Sequence, residues 1–124
     1  MAKLKPTILV VDDDEHARIL LGDILRAEGF DVVEAENGFT ALERLKQSPA
    51  DLIITDRDMP RMDGMALLKH LREGYPMIPV LMLSGYGEES MWGQAIGLGA
   101  KDYLLKPFKV KDVVAQIRKY LTGK

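Results

Sequence analysis

The sequence predicts a three-layer α/β/α sandwich built around a parallel β-sheet. Three apolar runs, 8–11, 52–54 and 80–83, have the length of strands. Their hydrophobicity is continuous rather than alternating, which is typical of strands covered on both faces in a parallel sheet. Apolar residues at helical spacing fill the intervals, so strand and helix alternate five times along the chain. This alternation predicts right-handed crossovers and helices on both faces of the sheet.

Each of the three clear strands ends in polar or small residues, which mark the loops that follow. The first run ends at Asp12, the third predicted strand ends at Thr55-Asp56, and the fourth ends at Ser84-Gly85. The second and fifth strands are weaker candidates, at 32–33 and 102–105. The sequence therefore predicts five strands, two of them from weak signals.

Helices are predicted between the strands from the spacing of apolar residues. The expected apolar positions of the first, second, third and fifth helices are Ala17, Leu20, Leu21, Ile24 and Leu25; Ala41, Leu42 and Leu45; Met65, Leu68 and Leu71; and Val110, Val113, Val114, Ile117 and Leu121. Gly29 is placed to end the first helix and Asp63 to cap the third. The fourth stretch, 88–98, contains Gly93 and Gly97, each of which costs about 1 kcal/mol relative to Ala. We expect it to be the least stable helix.

Length and composition predict one domain. A chain of 124 residues is expected to bury about two-thirds of the surface that it exposes when unfolded. It is 47% hydrophobic and 29% charged, which excludes the disordered, collagen-like and membrane classes. The strand–helix units use the whole sequence, so we expect residues 1–124 to form a single domain without an output domain.

Charge and cysteine content restrict the partners and the compartment. Lys and Arg number 17 and Asp and Glu 19, so the net charge of −2 gives no electrostatic reason for direct nucleic-acid binding. No run approaches the ~18 apolar residues of a membrane span. The first apolar run leads straight into Asp12, unlike a signal peptide. Without cysteine there is no disulfide framework, and we expect a cytoplasmic protein without membrane insertion.

The predicted loops at the carboxyl ends of the strands carry an unusual set of polar residues. They are Asp12, Asp13, Asp14, Asp56, Asp58, Ser84 and Lys106. Ligands bind at this edge of an open α/β sheet, and the carboxylates converge if the first and third strands are neighbours. Such close carboxylates need a cation among them, and oxygen ligands without His or Cys favour Mg²⁺ or Mn²⁺ over Zn²⁺. A lysine and a hydroxyl opposite the acids would suit a phosphoryl group, and Asp56 is a credible nucleophile for it.

Four segments, in this order, resemble the response-regulator receiver family: 10–13 (Val-Val-Asp-Asp), 55–64 (Thr-Asp-Arg-Asp-Met-Pro-Arg-Met-Asp-Gly), 84–85 (Ser-Gly) and 106–108 (Lys-Pro-Phe). The resemblance covers essentially the whole chain. It implies a flavodoxin-like sheet of strand order 2-1-3-4-5 with five helices. It also implies a two-component or phosphorelay switch, phosphorylated by a sensor histidine kinase or a histidine phosphotransfer protein. Such a switch catalyses only its own phosphorylation and dephosphorylation.

The resemblance implies roles for the acidic residues. Asp56 matches the phosphoacceptor, and Asp12 and Asp13 match the acidic pair that holds Mg²⁺, for which Mn²⁺ can substitute. Asp56 and the backbone carbonyl of Asp58 complete the implied ligand set. Asp58 carries a charge where the family often has a neutral side chain, and Asp14 extends the acidic pair. We hypothesise that Asp58 changes the lifetime of the aspartyl phosphate, whereas Asp14 is expected to be a capping or solvated acid.

The resemblance also assigns the switch. Ser84 matches the hydroxyl that moves to the phosphoryl group, Lys106 matches the lysine that pairs with that group, and Tyr103 matches the aromatic whose rotamer follows. The Lys106–Pro107 bond is typically cis in this family. An output partner is expected on the face formed by the fourth helix, fifth strand and fifth helix. The residues expected to be exposed there are Trp92, Tyr103, Lys109 and Lys111.

Several of these residues also have a simpler structural interpretation. Asp12 and Asp13 alone could cap the next helix. His16 and His70 are expected at the surface rather than as metal ligands. Met59, Met62 and Met65 are expected to fill the loops and core rather than to form a partner surface. Trp92 fits half-buried packing and a partner anchor equally well.

Three other functions compete with a phosphorylated receiver. Asp56-Arg57-Asp58 has the Asp-x-Asp form of haloacid-dehalogenase-type phosphatases, but that motif belongs on the first strand of a longer chain, and Pro60 stands where Thr or Val is usual. A pseudo-receiver that is never phosphorylated would not need the intact acidic set. A flavin carrier of similar fold would need donors, not acids, in the first loop.

Overall fold

The computed structural model describes residues 5–59, 61–85 and 92–122. Strands and helices alternate in the order β1 Thr7–Val11, α1 Glu15–Ala27, β2 Asp31–Ala35, α2 Gly38–Gln47, β3 Leu52–Asp56, α3 Gly64–Gly74, β4 Val80–Ser84, α4 Trp92–Gly97, β5 Asp102–Leu105 and α5 Val110–Thr122. Both weak strand candidates are confirmed as β2 and β5. No helix among the described residues combines the length and the apolar character needed to cross a membrane.

The five strands form one parallel sheet in the order β2-β1-β3-β4-β5, as the resemblance implied. β3 is the central strand, and its neighbours are β1 and β4. Val11 pairs with Thr55, and Asp56 pairs with Leu83. The carboxyl ends of β1, β3 and β4 therefore lie side by side at one edge of the sheet.

The helices cover both faces of the sheet, which confirms the three-layer sandwich. Two apolar clusters lie on opposite sides of the strands because consecutive strand residues point to opposite faces. Ile8 and Val10 belong to the cluster that contains residues of α1 and α5. Leu9 and Val11 belong to the cluster that contains residues of α2, α3 and α4.

Helix ends follow the residues that the sequence marked. The Asp63 carboxylate accepts a hydrogen bond from Ala66 N (2.8 Å) and caps α3. The Asp14 carboxylate accepts from His16 N and Ala17 N and caps α1, which confirms the simpler expectation for Asp14. Gly29, with φ of 97°, follows α1 in the left-handed conformation that favours glycine.

For two residues, the prediction that they lie on the buried face of a helix was wrong. Leu20 and Val110 are 63% and 42% exposed. The buried stripe of α1 runs through Leu21 and Leu25, so Leu20 lies about 120° away from its centre. In α3 the buried residues include Leu67, which the sequence pattern had not assigned to the apolar face.

The weak fourth helix lies only partly within the described residues. Its described part, Trp92–Gly97, has 6 residues, and the start predicted at 88–91 lies outside the described residues. Within these 6 residues only Ala95 is fully buried, in agreement with an element of low local stability.

Candidate functional site

The acidic residues meet at the carboxyl edge of the sheet because of strand order. Asp12 follows β1 directly, and Asp56 is the last residue of β3. Since β1 and β3 are paired in parallel, both chains arrive at the same edge and deliver their carboxylates side by side. Asp13 adds a third carboxylate from the loop before α1.

Asp12, Asp13 and Asp56 form a cluster in which one carboxylate oxygen from each lies within 4.8 Å of the others. Asp12 and Asp56 are 3% and 7% exposed, whereas Asp13 is exposed. Two of the carboxylates are thus held in the protein interior, and the third lies at the solvent side. A set of oxygen ligands without His or Cys fits Mg²⁺ or Mn²⁺.

Lys106 supplies the positive charge opposite the acids. Its Nζ lies 3.1 Å from Asp56 Oδ1 and 3.6 Å from Asp12 Oδ2. The peptide bond to Pro107 is cis, as the resemblance led us to expect. The lysine therefore bridges the two buried carboxylates from the β5–α5 loop.

For both Asp56 and Lys106, burial and the neighbouring opposite charge shift the pKa in opposite directions. Burial of the Asp56 carboxyl raises its pKa to about 6, and the nearby Asp12 adds to this rise, although Lys106 opposes it. Burial alone would lower the pKa of Lys106, but the Asp56 and Asp12 carboxylates outweigh burial and raise this pKa above its ordinary value. The lysine stays charged, while the Asp56 carboxyl is poorly stabilised as an anion without a further cation.

The loop after β3 holds the Asp56 backbone in place, and Gly64 is the residue that allows it. Gly64 N donates to Arg57 O (2.9 Å), and Arg57 N donates to Leu83 O (2.8 Å). A Cβ added at Gly64 would overlap the Asp56 carbonyl oxygen and lie 2.9 Å from Arg57 Cα. In the sequence Gly64 is only the last residue of the 55–64 segment, and its role depends on how closely its backbone approaches that of Asp56.

Asp58, in contrast, lies outside the buried cluster. Its side chain is 65% exposed and its Oδ1 lies 2.9 Å from Arg57 Nη1. The carboxylate is not among the three that converge in the described part of the chain. His16 and His70 are exposed, and Met59 and Met62 are buried core residues, as expected.

Three buried polar atoms near the ends of β4 and β5 have no hydrogen-bond partner among the described residues. They are Ser84 Oγ, Trp92 Nε1 and Tyr103 OH. Trp92 is half-buried, and its ring lies 5.1 Å from that of Tyr103 at 36°. The expected exposure of Tyr103 was wrong, because this residue is only 7% exposed and packs under Trp92. Lys109 and Lys111 are exposed as expected.

Sequence and structure comparisons agree on one family. A family model described as "Response regulator receiver domain" matches residues 8–118. The chain is 43% identical over 115 residues to chemotaxis protein CheY of Bacillus subtilis, covering 92% of this chain and 96% of CheY. It is 40% identical over 114 residues to the alkaline phosphatase synthesis transcriptional regulatory protein PhoP of the same organism, covering 92% of this chain but only 48% of PhoP. The chain thus spans about half the length of that relative.

The solved structures give the same result. The crystal structure of the receiver domain of NtrX from Brucella abortus superposes with a TM-score of 0.91 at 34% identity, covering 94% of this chain and 99% of that one. These matches contradict the phosphatase and flavin-carrier alternatives, and the Asp-x-Asp segment indeed lies on the third strand rather than the first. The chain belongs to the response regulator receiver family of two-component signalling, whose members are phosphorylated on an aspartate and switch conformation.

Proposed function

We propose that Asp56 is the phosphoacceptor and that it receives its phosphoryl group from the phosphohistidine of a sensor histidine kinase or a histidine phosphotransfer protein. One observation carries this proposal. The Asp56 carboxylate ends the central strand and lies 3.1 Å from Lys106 within a cluster of three acids. A rigidly placed carboxylate, a cation-binding cluster and a lysine are what phosphoryl transfer requires.

Each residue of the pocket has a distinct part in the proposed transfer. An Asp56 carboxylate oxygen attacks the phosphorus, and the bond from phosphorus to the donor imidazole nitrogen breaks, with the electron pair remaining on that nitrogen. Lys106 offers its ammonium to the phosphoryl oxygens. Asp12, Asp13 and Asp56, with the Asp58 backbone carbonyl, would hold Mg²⁺, or Mn²⁺ in its place. The bound ion would neutralise charge on the transferring group.

The same residues would promote loss of the phosphoryl group when water replaces the donor. Asp58 is the residue that we propose controls this step, because its carboxylate is exposed and follows the acceptor by two positions. We expect the Asp58→Asn variant to release phosphate at a rate different from that of the parent, measured as inorganic phosphate after removal of the donor. Equal rates would contradict the assignment.

The switch is proposed to run from Ser84 to Tyr103 and then to the face formed by α4, β5 and α5. Ser84 ends β4 next to the acceptor strand, and its hydroxyl has no partner within the described residues. Ile96 on α4 is 48% exposed, which supports this face as the contact for an output partner. Phosphorylation would shift the population between two conformations.

The decisive experiment is phosphorylation of the purified protein by acetyl phosphate in the presence of Mg²⁺, followed by intact mass. We expect a gain of one phosphoryl group, which chelation of the metal abolishes and which the Asp56→Asn variant lacks. Trp92 fluorescence in the same samples reports any change beside Tyr103.

A matched control removes the same charge elsewhere. Asp23 is exposed on α1 and pairs only with Arg26 among its described contacts, so Asp23→Asn is expected to gain mass as the parent does. A parent that gains no mass would contradict the proposed function, as would an undiminished gain in Asp56→Asn.

A further inference from the structure

Arg18 of α1 links the acidic cluster to the outer strand of the sheet. Its Nη1 donates to the backbone carbonyl of Asp12 (2.8 Å), and its Nε lies 3.1 Å from Glu34 Oε1. Glu34 belongs to β2, the strand at one edge of the sheet. The Arg18 side chain is only 16% exposed. Its guanidinium therefore connects Asp12 of the acidic cluster with Glu34 of the edge strand largely out of contact with solvent.

The contact matters because Asp12 is almost fully buried. Its N–H donates to Ala35 O (3.1 Å), its Oδ1 accepts from Asp14 N (3.0 Å), and its carbonyl accepts from Arg18. Two of these three bonds come from the backbone and are fixed by the fold. The bond from Arg18 is the one of these three that another residue's side chain donates, so a substitution can remove it without changing the course of the main chain.

Glu34 holds the Arg18 guanidinium at its Nε, on the side away from Asp12. Its two carboxylate oxygens are shared between Arg18 (3.1 Å) and Arg26 (3.3 Å), and its backbone carbonyl accepts from Arg44 (3.2 Å). The planar guanidinium can donate to the carboxylate and to the Asp12 carbonyl at the same time because its donors form a rigid fork. The Glu34 charge also compensates that of Arg18, which would otherwise oppose a divalent cation nearby.

We propose that Arg18, held by Glu34, is a positioning residue for the divalent cation: it fixes the Asp12 backbone so that this carboxylate and its neighbours are arranged for the metal before it binds. The inference rests on the proposed function, since it assigns the support of the same site. Groups that orient metal ligands from outside contribute strongly to metal affinity.

Arg26 provides an internal control. It binds the other oxygen of the same carboxylate, but its side chain is 46% exposed and its described contacts reach only Asp23 and Glu34, not the cluster. A substitution at Arg26 therefore disturbs the Glu34 pair without touching Asp12.

The test is Mg²⁺ binding to the unphosphorylated protein, measured by isothermal titration calorimetry. Arg18→Lys keeps the charge but replaces the fork by a single ammonium. We expect it to weaken Mg²⁺ binding about tenfold, whereas Arg26→Lys changes the affinity less than about twofold. Glu34→Ala is expected to weaken binding in the parent and in Arg26→Lys, but to add little in Arg18→Lys, because the two residues act as one unit.

The outcomes separate the inference from the proposed function. Equal Mg²⁺ affinity in the parent and a folded Arg18→Lys variant would overturn the inference alone, as would equal losses in Arg18→Lys and Arg26→Lys. A parent that binds no Mg²⁺, or an Asp13→Asn variant that binds it as the parent does, would instead contradict the proposed metal site itself. If Arg18→Lys does not fold, Glu34→Ala decides, and unchanged affinity in that variant overturns the inference.

Discussion

The acidic pocket, formed by Asp12, Asp13, Asp56 and Lys106, lies next to the switch side, formed by Ser84, Trp92 and Tyr103. The two regions differ in whether their buried polar atoms have hydrogen-bond partners. In the pocket, the Asp56 and Asp12 carboxylates share Lys106, and Asp12 also accepts from Asp14 N. On the switch side, Ser84 Oγ, Trp92 Nε1 and Tyr103 OH are buried and find no partner in the described part of the chain. Among the described residues, the two buried carboxylates of the pocket are paired with Lys106, whereas these three atoms on the switch side have no partner.

This difference indicates where the molecule can change. A buried polar atom without a partner costs about 1–3 kcal/mol, so a conformation that satisfies it gains that amount. Asp56 pairs in register with Leu83, the residue before Ser84, so a phosphoryl group on Asp56 would bring new acceptor oxygens near the Ser84 hydroxyl. We infer that the pocket provides a fixed platform and that the switch side provides the adjustable part.

The largest change in stability is expected at Gly64, where neighbouring backbone atoms leave no space for a side chain. Gly64→Ala would place a Cβ against the Asp56 carbonyl oxygen and 2.9 Å from Arg57 Cα, and both are backbone atoms. We expect a loss of about 3 kcal/mol in the free energy of unfolding, the upper part of the usual range for overpacking. Urea denaturation measures it.

Gly74→Ala is the matched control, because a Cβ at Gly74, the last residue of α3, meets nothing within 4 Å. Its free energy of unfolding should stay equal to that of the parent or rise by less than about 1 kcal/mol. Equal losses in both variants would show that the loop beside Asp56 is not tightly packed, and the platform interpretation would fail.

A smaller effect follows from the charge of the pocket. Burial raises the pKa of Asp56 to about 6, and a carboxylate must lose its proton to bind a cation. Mg²⁺ affinity should therefore fall about tenfold between pH 7 and about pH 5, since only a small ionised fraction remains below the pKa. Calorimetric titrations at the two pH values measure this change.

The metal-free protein should show the corresponding dependence of stability. Because the native Asp56 has a pKa of about 6 instead of 3.8, the folded chain holds a proton that the unfolded chain releases between these values. Stability therefore falls as the pH rises from about 4 to about 6. Asp56→Asn should remove this part of the fall, and an unchanged pH profile in the variant would contradict the raised pKa.

Much of the pocket was predictable because it depends on backbone topology. Alternating strands and helices place the residues after β1, β3 and β5 at one edge, so Asp12, Asp56 and Lys106 could be brought together from their positions in the sequence. The strand order itself came from the family resemblance. Gly64 and Arg18 were missed because their roles depend on contacts between elements: one on the approach of two backbones, the other on a side chain that crosses from α1 to β2.

The switch side was less predictable. Tyr103 was expected to be exposed on the partner surface by analogy with the receiver family, but it is buried. Its ring lies 5.1 Å from the ring of Trp92, which belongs to a helix with 6 described residues. Sequence periodicity over such a short, glycine-containing segment carries little information about side-chain packing.

The smallest effect has the opposite sign and tests the switch side directly. Tyr103→Phe removes a buried hydroxyl that has no partner among the described residues but keeps the ring under Trp92. Because no hydrogen bond is lost, we expect the free energy of unfolding of the unphosphorylated protein to rise by about 1 kcal/mol. Urea denaturation at neutral pH is again the measurement.

Tyr120→Phe makes the same chemical change where the hydroxyl is satisfied. The Tyr120 hydroxyl contacts Asp102 Oδ2 (2.9 Å) and Lys101 O (3.1 Å), so its removal should lower stability, by up to about 1 kcal/mol. Opposite signs for the two variants would show that the Tyr103 hydroxyl is held at a cost in the unphosphorylated protein. A loss in both would mean that Tyr103 has a partner in solution, and the contrast between a satisfied pocket and an unsatisfied switch side would then not hold.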